Sequence, residues 1–376
     1  MSDRISNLPD ELLCHILSFL PTENAAATTI LSKRWRSLWL SVPTLDFHKE
    51  RYLEGKESKS YSDFSNFVYA AIHSRGLHQP IKNFTLDPGY DCPFDDVKEW
   101  LKAAKRHHLE KLVIWYPYSP VTCFILSCTN LVVLKLTYAY FEAFSSVNLP
   151  SLKTLYMDDV EFVNPQSLMN LLYGCPVLED LVIYDVYFDD SDLIEDEISY
   201  NDSPFEGQVN TLSNLVSANV NFCNAFHIPV KAYSNAQFLH LNKCDADIHV
   251  FLNLTYLELF SGCSLKWNSV LHMLNHCPKL QTVVFITYDG ADKVWPDPGF
   301  VPECFSSHLR KCFIKGFAGV DYQMRLARYV LQNSTSLRTM AISDPWDRLN
   351  HQEKLEVMAE LASYPRSSAV CDLVFK

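Results

Sequence analysis

Several sets of residues in this chain have the types and spacing for metal or acid–base chemistry. His272 and His276 stand at i, i+4 on a predicted helix, with Cys277 beside them. That spacing puts two imidazoles on one helical face, as zinc ligation requires, but a hydrolytic site also needs a glutamate directly after the first histidine. Met273 stands there, and a sister segment upstream has Asn170 and Gly174 at the two histidine positions. His107-His108 follow Lys105-Arg106 and read as a basic helix end that suits the helix dipole. Cys123 and Cys128 are spaced wrongly for a zinc knuckle and lie among Phe124, Ile125 and Leu126, so they read as core. Asp95-Asp96 read as acids of a first helical turn rather than a catalytic dyad. There is no G-x-S-x-G elbow and no phosphate-binding G-x-x-x-x-G-K-[ST] loop, and ten glycines are few for a nucleotide-binding chain. The expectation is a non-enzyme with no metal and no cofactor.

Composition narrows the class further. The chain has 376 residues, 48% of them hydrophobic, which is ample for a large core and suggests two or three globular units. Its 32 basic against 44 acidic residues give a net charge of −12, which argues against nucleic acid as the partner. No apolar run follows Met1-Ser2-Asp3-Arg4, and no stretch approaches the ~20 apolar residues of a membrane span. The twelve cysteines are scattered through apolar runs and read as reduced core residues. Nucleus or cytoplasm is the expected location, with no membrane association.

The elements that position everything else recur with a rhythm. An apolar residue, two variable ones, an apolar, one variable and an apolar repeat from Ile81/Phe84/Leu86 and Leu109/Leu112/Ile114 through to Leu309/Cys312/Ile314 and Leu337/Met340/Ile342. Most intervals fall near the ~20–29 residues of a leucine-rich repeat, in which a short strand and a helix or turn make one rung. Helical stretches lie between strands, at Asp95–His107, Pro165–Tyr173 and Asn268–Asn275. Two enter the next strand alike, through Gly174-Cys175-Pro176 and His276-Cys277-Pro278. Alternation sends the repeat residues inward and their neighbours to the open face, where Lys135, Tyr156, Tyr184, Asn219, His240, Glu258 and Phe260 are the candidate client-binding residues. Val182 and Val284 belong to the same row. Asp189 to Glu206 reads as a solvated acidic insertion. The tail from Leu309 reads strand–helix–strand–helix–strand, ending in Ser368–Phe375, a βαβαβ cap for the open end of a solenoid.

Ahead of the repeats, Arg4 to Leu45 carries more apolar surface than so short a segment can bury on itself. A helix opens at Pro9-Asp10-Glu11 and stops by Pro21, with Leu12/Ile16 and Leu13/Leu17 at i, i+4 and Phe19-Leu20 behind them, covering more than the ~100° of an ordinary amphipathic arc. A run from Ala25 to Leu31 leads into Lys33-Arg34-Trp35-Arg36-Ser37-Leu38-Trp39. A strand follows at Thr44–Phe47, then an exposed polar loop from His48 to Ser62 and a helix at Phe64–Ile72.

Leu8-Pro9-Asp10-Glu11-Leu12-Leu13, Ile16-Leu17-Ser18-Phe19-Leu20-Pro21 and Leu31-Ser32-Lys33-Arg34-Trp35-Arg36-Ser37-Leu38-Trp39 together resemble the F-box of plant F-box/leucine-rich-repeat proteins. The tail from Phe305, opening with Leu309–Phe317 and ending with Val370–Phe375, is similar to the FBD domain that closes such proteins. The resemblance implies an α/β chain. An all-α F-box (1–47) is followed by a linker and helix (48–80), an irregular leucine-rich-repeat solenoid of curved parallel sheet with outer helices (81–300), and an αβ C-terminal cap of FBD type (301–376). It implies the substrate-recognition subunit of an SCF-type (Skp–cullin–F-box) ubiquitin ligase, with a Skp adaptor, cullin through the adaptor, and a protein client as partners. The adaptor contacts it implies are Leu8, Pro9, Leu12, Ile16, Leu20, Pro21, Trp35, Leu38 and Trp39. For Leu13, Leu17 and Leu31, internal packing and contact stand equally open. The alternative is an F-box interaction module that binds the adaptor without cullin.

Overall fold

The computed structural model describes residues 5, 7–55, 60–76, 78–120, 123–144, 146–189, 210–221, 228–242, 249–261, 267–287, 299–343 and 349–375. By its contacts the chain divides into two compact units, residues 1–178 with 185–206, and 179–184 with 207–376.

The first unit opens with helix α1 (Asp10–Leu17), where Asp10 and Glu11 face the positive end of the helix dipole. Helix α2 (Thr22–Ala27), a 3-10 turn (Thr28–Ile30) and helix α3 (Lys33–Ser41) follow. Leu13, Leu17, Ala25, Trp35, Leu38 and Val42 close into one small core, with Leu8, Cys14 and Trp39 packed at its margin. Strand β1 (Thr44–His48) then pairs in parallel with β2 (Asn83–Asp87), Leu45 opposite Phe84 and Phe47 opposite Leu86. The repeat pattern therefore begins one rung earlier than the sequence reading placed it, at Val42/Leu45/Phe47, all buried.

The polar stretch after β1 is not a simple loop. Helix α4 (Lys49–Leu53) occupies its start and buries Tyr52, whose ring stacks on Phe67 at 5.2 Å. Helix α5 (Tyr61–His73) starts from a reciprocal capping box between Ser60 and Asp63. Helix α6 (Phe94–Lys105) precedes β3 (Lys111–Pro120), β4 (Val133–Phe141) and β5 (Thr154–Phe162), each parallel to the one before. Helix α7 (Pro165–Tyr173) is capped by Asn164, which accepts from the Ser167 amide at 2.9 Å. At its end Gly174 has no room for a side chain, since a Cβ there would lie 2.3 Å from Cγ1 of Val147.

The second unit takes in the first residues of β6 (Asp180–Phe188). It continues with β7 (Ser217–Asn221), β8 (Phe238–Leu241), β9 (Tyr256–Ser261), helix α8 (Trp267–Asn275) and β10 (Thr282–Thr287). Next come α9 (Glu303–Ser307), β11 (Lys311–Lys315), α10 (Asp321–Asn333), β12 (Thr339–Ser343), α11 (His351–Ser363) and β13 (Asp372–Phe375). Every strand from β6 onward pairs in parallel with the next. The tail extends the same ladder: Val283 faces Cys312, Cys312 faces Met340, and Met340 faces Leu373. Gln323 of α10 is fully buried and donates to Thr287 Oγ1 (2.7 Å) and the Gly316 carbonyl (3.1 Å) while accepting from the Ala318 amide (2.8 Å). That satisfied amide ties the helix to the ends of β10 and β11. The final strand is shorter than the sequence suggests, and Val370 before it is exposed.

The repeat residues from Ile81 to Ile342 are all buried. Two buried thiols mark the duplicated helix ends. Cys175 Sγ donates to the Leu171 carbonyl at 3.2 Å and Cys277 Sγ to Met273 at 3.1 Å. Burial pushes the Cys175 thiol up to about 12, so it is inert as a nucleophile.

Strands β4, β5 and β6 share a feature that alternation alone does not predict. Each has one residue in the left-handed region, Tyr138 (φ 59°), Asp159 (φ 53°) and Asp185 (φ 48°). There the inward phase shifts: Leu134 and Leu136 are buried before the kink of β4, Ala139 and Phe141 after it. In β5 the same shift takes Leu155 and Met157 to Val160 and Phe162, and Phe141 stacks on Phe162 at 4.8 Å. The kink re-aims each strand so that both arms bury on one side. Aspartate tolerates this backbone; a tyrosine there is an outlier that costs about 1–3 kcal/mol.

Candidate functional site

Among the described residues, each unit presents a surface that carries residues expected to meet a partner. In the first, α1 turns Leu13 and Leu17 inward and leaves Leu12 (50%) and Ile16 (47%) exposed. Phe19 (74%) and Leu20 follow, and Ile5, Ile30 and Leu31 are exposed as well. Seven large apolar side chains are thus in water among the described residues up to Leu31, although the core beside them is closed. Arg34 fixes the entry to α1, its Nε donating to Asp10 at 2.9 Å and Nη2 to the Leu8 carbonyl at 2.7 Å. Leu8 is half-buried, Pro9 exposed and Pro21 half-buried.

Trp35 and Leu38 are 7% and 3% exposed, so as part of the core they cannot line a contact face. They support it from behind, and this corrects their assignment as contacts. The ambiguity over the i, i+4 leucines resolves by geometry, with Leu13 and Leu17 inside and Leu31 outside. Ile5, Phe19 and Ile30 are exposed apolar residues that the sequence reading did not single out as contacts. Their signal was the same excess of apolar residues.

The small helical core is held to the first rungs by polar bonds. The Thr22 hydroxyl accepts from the Asp46 amide at 2.6 Å, and Arg51 joins Glu23 (3.0 Å) to Asp46 (3.1 Å). Arg75 of the first unit is buried, donates to the Val42 and Trp39 carbonyls, and lies 5.5 Å over the Trp39 ring. Burial lowers its guanidinium to about 10, still charged at neutral pH.

In the second unit, the outward row of β6–β9 gathers five of the seven residues expected to meet a client. Tyr184, Asn219, His240, Glu258 and Phe260 line one pocket of about 140 Å³ together with Asn221 and Asn242. Asn219 Nδ2 donates to the Tyr184 hydroxyl at 2.7 Å, and Asn242 donates to Asn221. Tyr256 donates to Glu258 at 2.6 Å, with His240 at 3.7 Å and Lys315 at 3.6 Å from the same carboxylate. The His240 imidazole, then the Tyr256 hydroxyl and Lys315, hold the Glu258 carboxyl down at about 2 against the opposing effect of burial. Lys315 comes from β11 through the same register, Ile286 opposite Lys315, and the sequence reading missed it. Carboxamides offer both donors and acceptors, so such a row suits a polypeptide backbone. Lys135 and Tyr156 pair in the first unit instead, with the ammonium 5.5 Å over the ring. Val284, expected on the open row, is buried along with its neighbours in β10.

The other candidates are tied into structure. His276 Nδ1 lies 2.7 Å from the His272 carbonyl, and Cys277 beside it is buried. Asp96 accepts from Tyr61 (2.5 Å) and Ser65 (3.2 Å). His107 Nδ1 lies 3.0 Å from the Gln79 carbonyl. Among the described residues no group of three His, Cys, Asp or Glu could hold a metal, and no helix is long and apolar enough to cross a membrane. Of the acidic insertion only Asp189 is described; 190–206 lie outside the described residues.

Comparison with known proteins bears on all three regions. The F-box domain family matches residues 5–46 and the FBD family residues 297–342. A repeat family described as FBD-associated F-box protein At5g56370, LRR repeats, matches 97–193. The chain is similar to the Arabidopsis thaliana FBD-associated F-box protein At3g52670, 31% identical over 425 residues that cover 100% of this chain and 97% of the relative. It is equally similar to F-box/FBD/LRR-repeat protein At3g52680 of the same plant, 31% identical with 100% and 93% covered.

Proposed function

The chain belongs to the F-box/FBD/LRR-repeat proteins, and from that membership we propose that it is the substrate-receiving subunit of an SCF-type ubiquitin ligase. In this reading residues 1–47 dock on a Skp adaptor that joins cullin, 48–80 seat the docking segment, the repeats of 81–300 hold a protein client, and the FBD-type tail of 301–376 caps the end of the repeats. The observation that carries the reading is the exposed Leu12–Ile16–Phe19–Leu20 set over a core that is already closed. Burying a leucine or isoleucine is worth about 1.5–3 kcal/mol, so an unmet apolar set of this size favours a partner. The pocket of β6–β9, with its carboxamides and its Glu258 anion, is the proposed client surface of the second unit, and Lys135 and Tyr156 are a separate proposed client contact of the first. The chain would make no covalent bond itself. It would raise the effective concentration of a client lysine at a thioester carried by another protein.

Co-purification of the full chain with a Skp adaptor and then with cullin tests the proposal. A ternary assembly is the expected result. Adaptor binding that excludes cullin overturns the ligase reading in favour of an F-box module outside the ligase, and no adaptor binding overturns both.

A further inference from the structure

The first unit contains a second pocket, of about 230 Å³, walled by His48, Glu50, Asp87, Tyr90, Trp115 and Tyr138. We propose that this pocket is a subsite for one arginine side chain of the client, its guanidinium stacked on the aromatic walls and paired with the carboxylates. The proposal rests on the reading of the chain as a client receptor.

Size comes first. Small-molecule sites run from about 300 to 1,000 Å³, so this pocket is a side-chain subsite rather than a cofactor site. The sign of the charge comes next. Among the described residues His48 is the one base lining the pocket, and it already has two acidic partners, Asp46 (3.1 Å) and Asp87 (3.3 Å); of its chain neighbours outside the lining, Lys49 pairs with Asp91 and Arg51 with Glu23 and Asp46. Glu50 adds an exposed carboxylate with no ion pair among the described residues, which leaves the wall with more acids than bases. Among the described residues, beyond its bond to His48, Asp87 accepts only a long 3.3 Å bond from the Gly89 amide. The walls themselves are aromatic. Trp115 lies 5.4 Å from the His48 ring, and Tyr90 is 78% exposed with its face unspent on the core. A planar, weakly hydrated guanidinium matches aromatic faces beside carboxylates better than a compact ammonium does.

Tyr138 gives an independent reason. It is the bulky residue at the left-handed kink of β4, while the next strand has Asp159 at the corresponding kink, one residue past the Thr137–Asp158 pair. The kink therefore needs only a short side chain, and the ring is kept at a backbone cost the fold does not require. Strain retained at a pocket wall points to a use for the side chain.

The test uses the full chain with its adaptor and two blocked pentapeptides, Gly-Gly-Arg-Gly-Gly and the same peptide with citrulline, which keeps the shape and removes the charge. Calorimetric titration to tens of millimolar should show the arginine peptide binding at least tenfold more tightly than the citrulline one. Trp115→Ala, Glu50→Gln and Tyr138→Gly should each weaken it at least fivefold. Tyr138→Gly should do so with an unchanged or raised Tm, since glycine relieves the kink, which separates lost binding from lost folding. No arginine binding, equal binding of the two peptides, or binding that survives these substitutions overturns the proposal. Adaptor binding is read in the same samples, so failure of the subsite and failure of the receptor reading are distinguishable.

Discussion

Replacing Leu12 and Ile16 together by alanine should separate docking from folding. Both side chains are about half exposed, so each has roughly half of its apolar surface left to bury. Full burial of such a side chain is worth about 1.5–3 kcal/mol, and covering the remaining half contributes about 1 kcal/mol. The pair then contributes about 2 kcal/mol to adaptor binding, or ~30-fold in Kd. The neighbouring Leu13 is fully buried, and Leu13→Ala should cost about 2–5 kcal/mol of fold stability instead. The assay is calorimetric titration of a Skp adaptor into the full chain, with Tm measured on the same samples. Leu12→Ala/Ile16→Ala should weaken binding about 30-fold with a small Tm change, and Leu13→Ala should lower Tm first. A double variant that binds within threefold of wild type refutes the assignment of this face.

Two further predictions concern stability. Gly174→Ala should destabilise the first unit by about 1–3 kcal/mol, because the new methyl meets Val147 at the end of α7 and the alanine variant must move that segment; denaturant unfolding with an unchanged midpoint would contradict this. His48 lies between Asp46 and Asp87, which hold its imidazolium at about 9, above the ordinary 6.5, against the effect of burial. A raised folded value means the stabilisation is complete below about 6.5 and is lost as pH rises through about 9. The full rise would be worth about 3 kcal/mol, and screening of the quarter-exposed ring leaves on the order of 1–2 kcal/mol. The Tm advantage of wild type over His48→Gln should therefore shrink between pH 6.5 and 9. A constant advantage across that range would count against it.

Periodicity carried the rungs. An apolar spacing repeated from Ile81 to Ile342 can be satisfied only by a strand whose alternate residues face one interior, and those residues are buried. The start of α7 at Pro165, capped by Asn164, was legible for a similarly local reason, whereas α5 begins at Tyr61 under the Ser60–Asp63 capping box, inside the stretch expected to be loop. The earliest rung, Val42/Leu45/Phe47, carried the same signal but was masked by its overlap with the α-helical segment before it.

By itself the sequence determined the fold class, the excess of apolar surface at the N-terminus and the outward row that gathers Tyr184, Asn219, His240, Glu258 and Phe260. Each of these follows from period and composition, which are properties of neighbours in the chain. Only the tertiary structure decided which side of the excess is a face. Leu12 and Leu13 are alike to any pattern, and packing of α1 on α3 buries one beside Trp35 and Leu38 while leaving the other in water. The kink at Tyr138 and the pairing of His48 with Asp87 were equally out of reach, because each depends on a backbone dihedral or on residues 39 positions apart. Long-range register places them, and no local propensity encodes it.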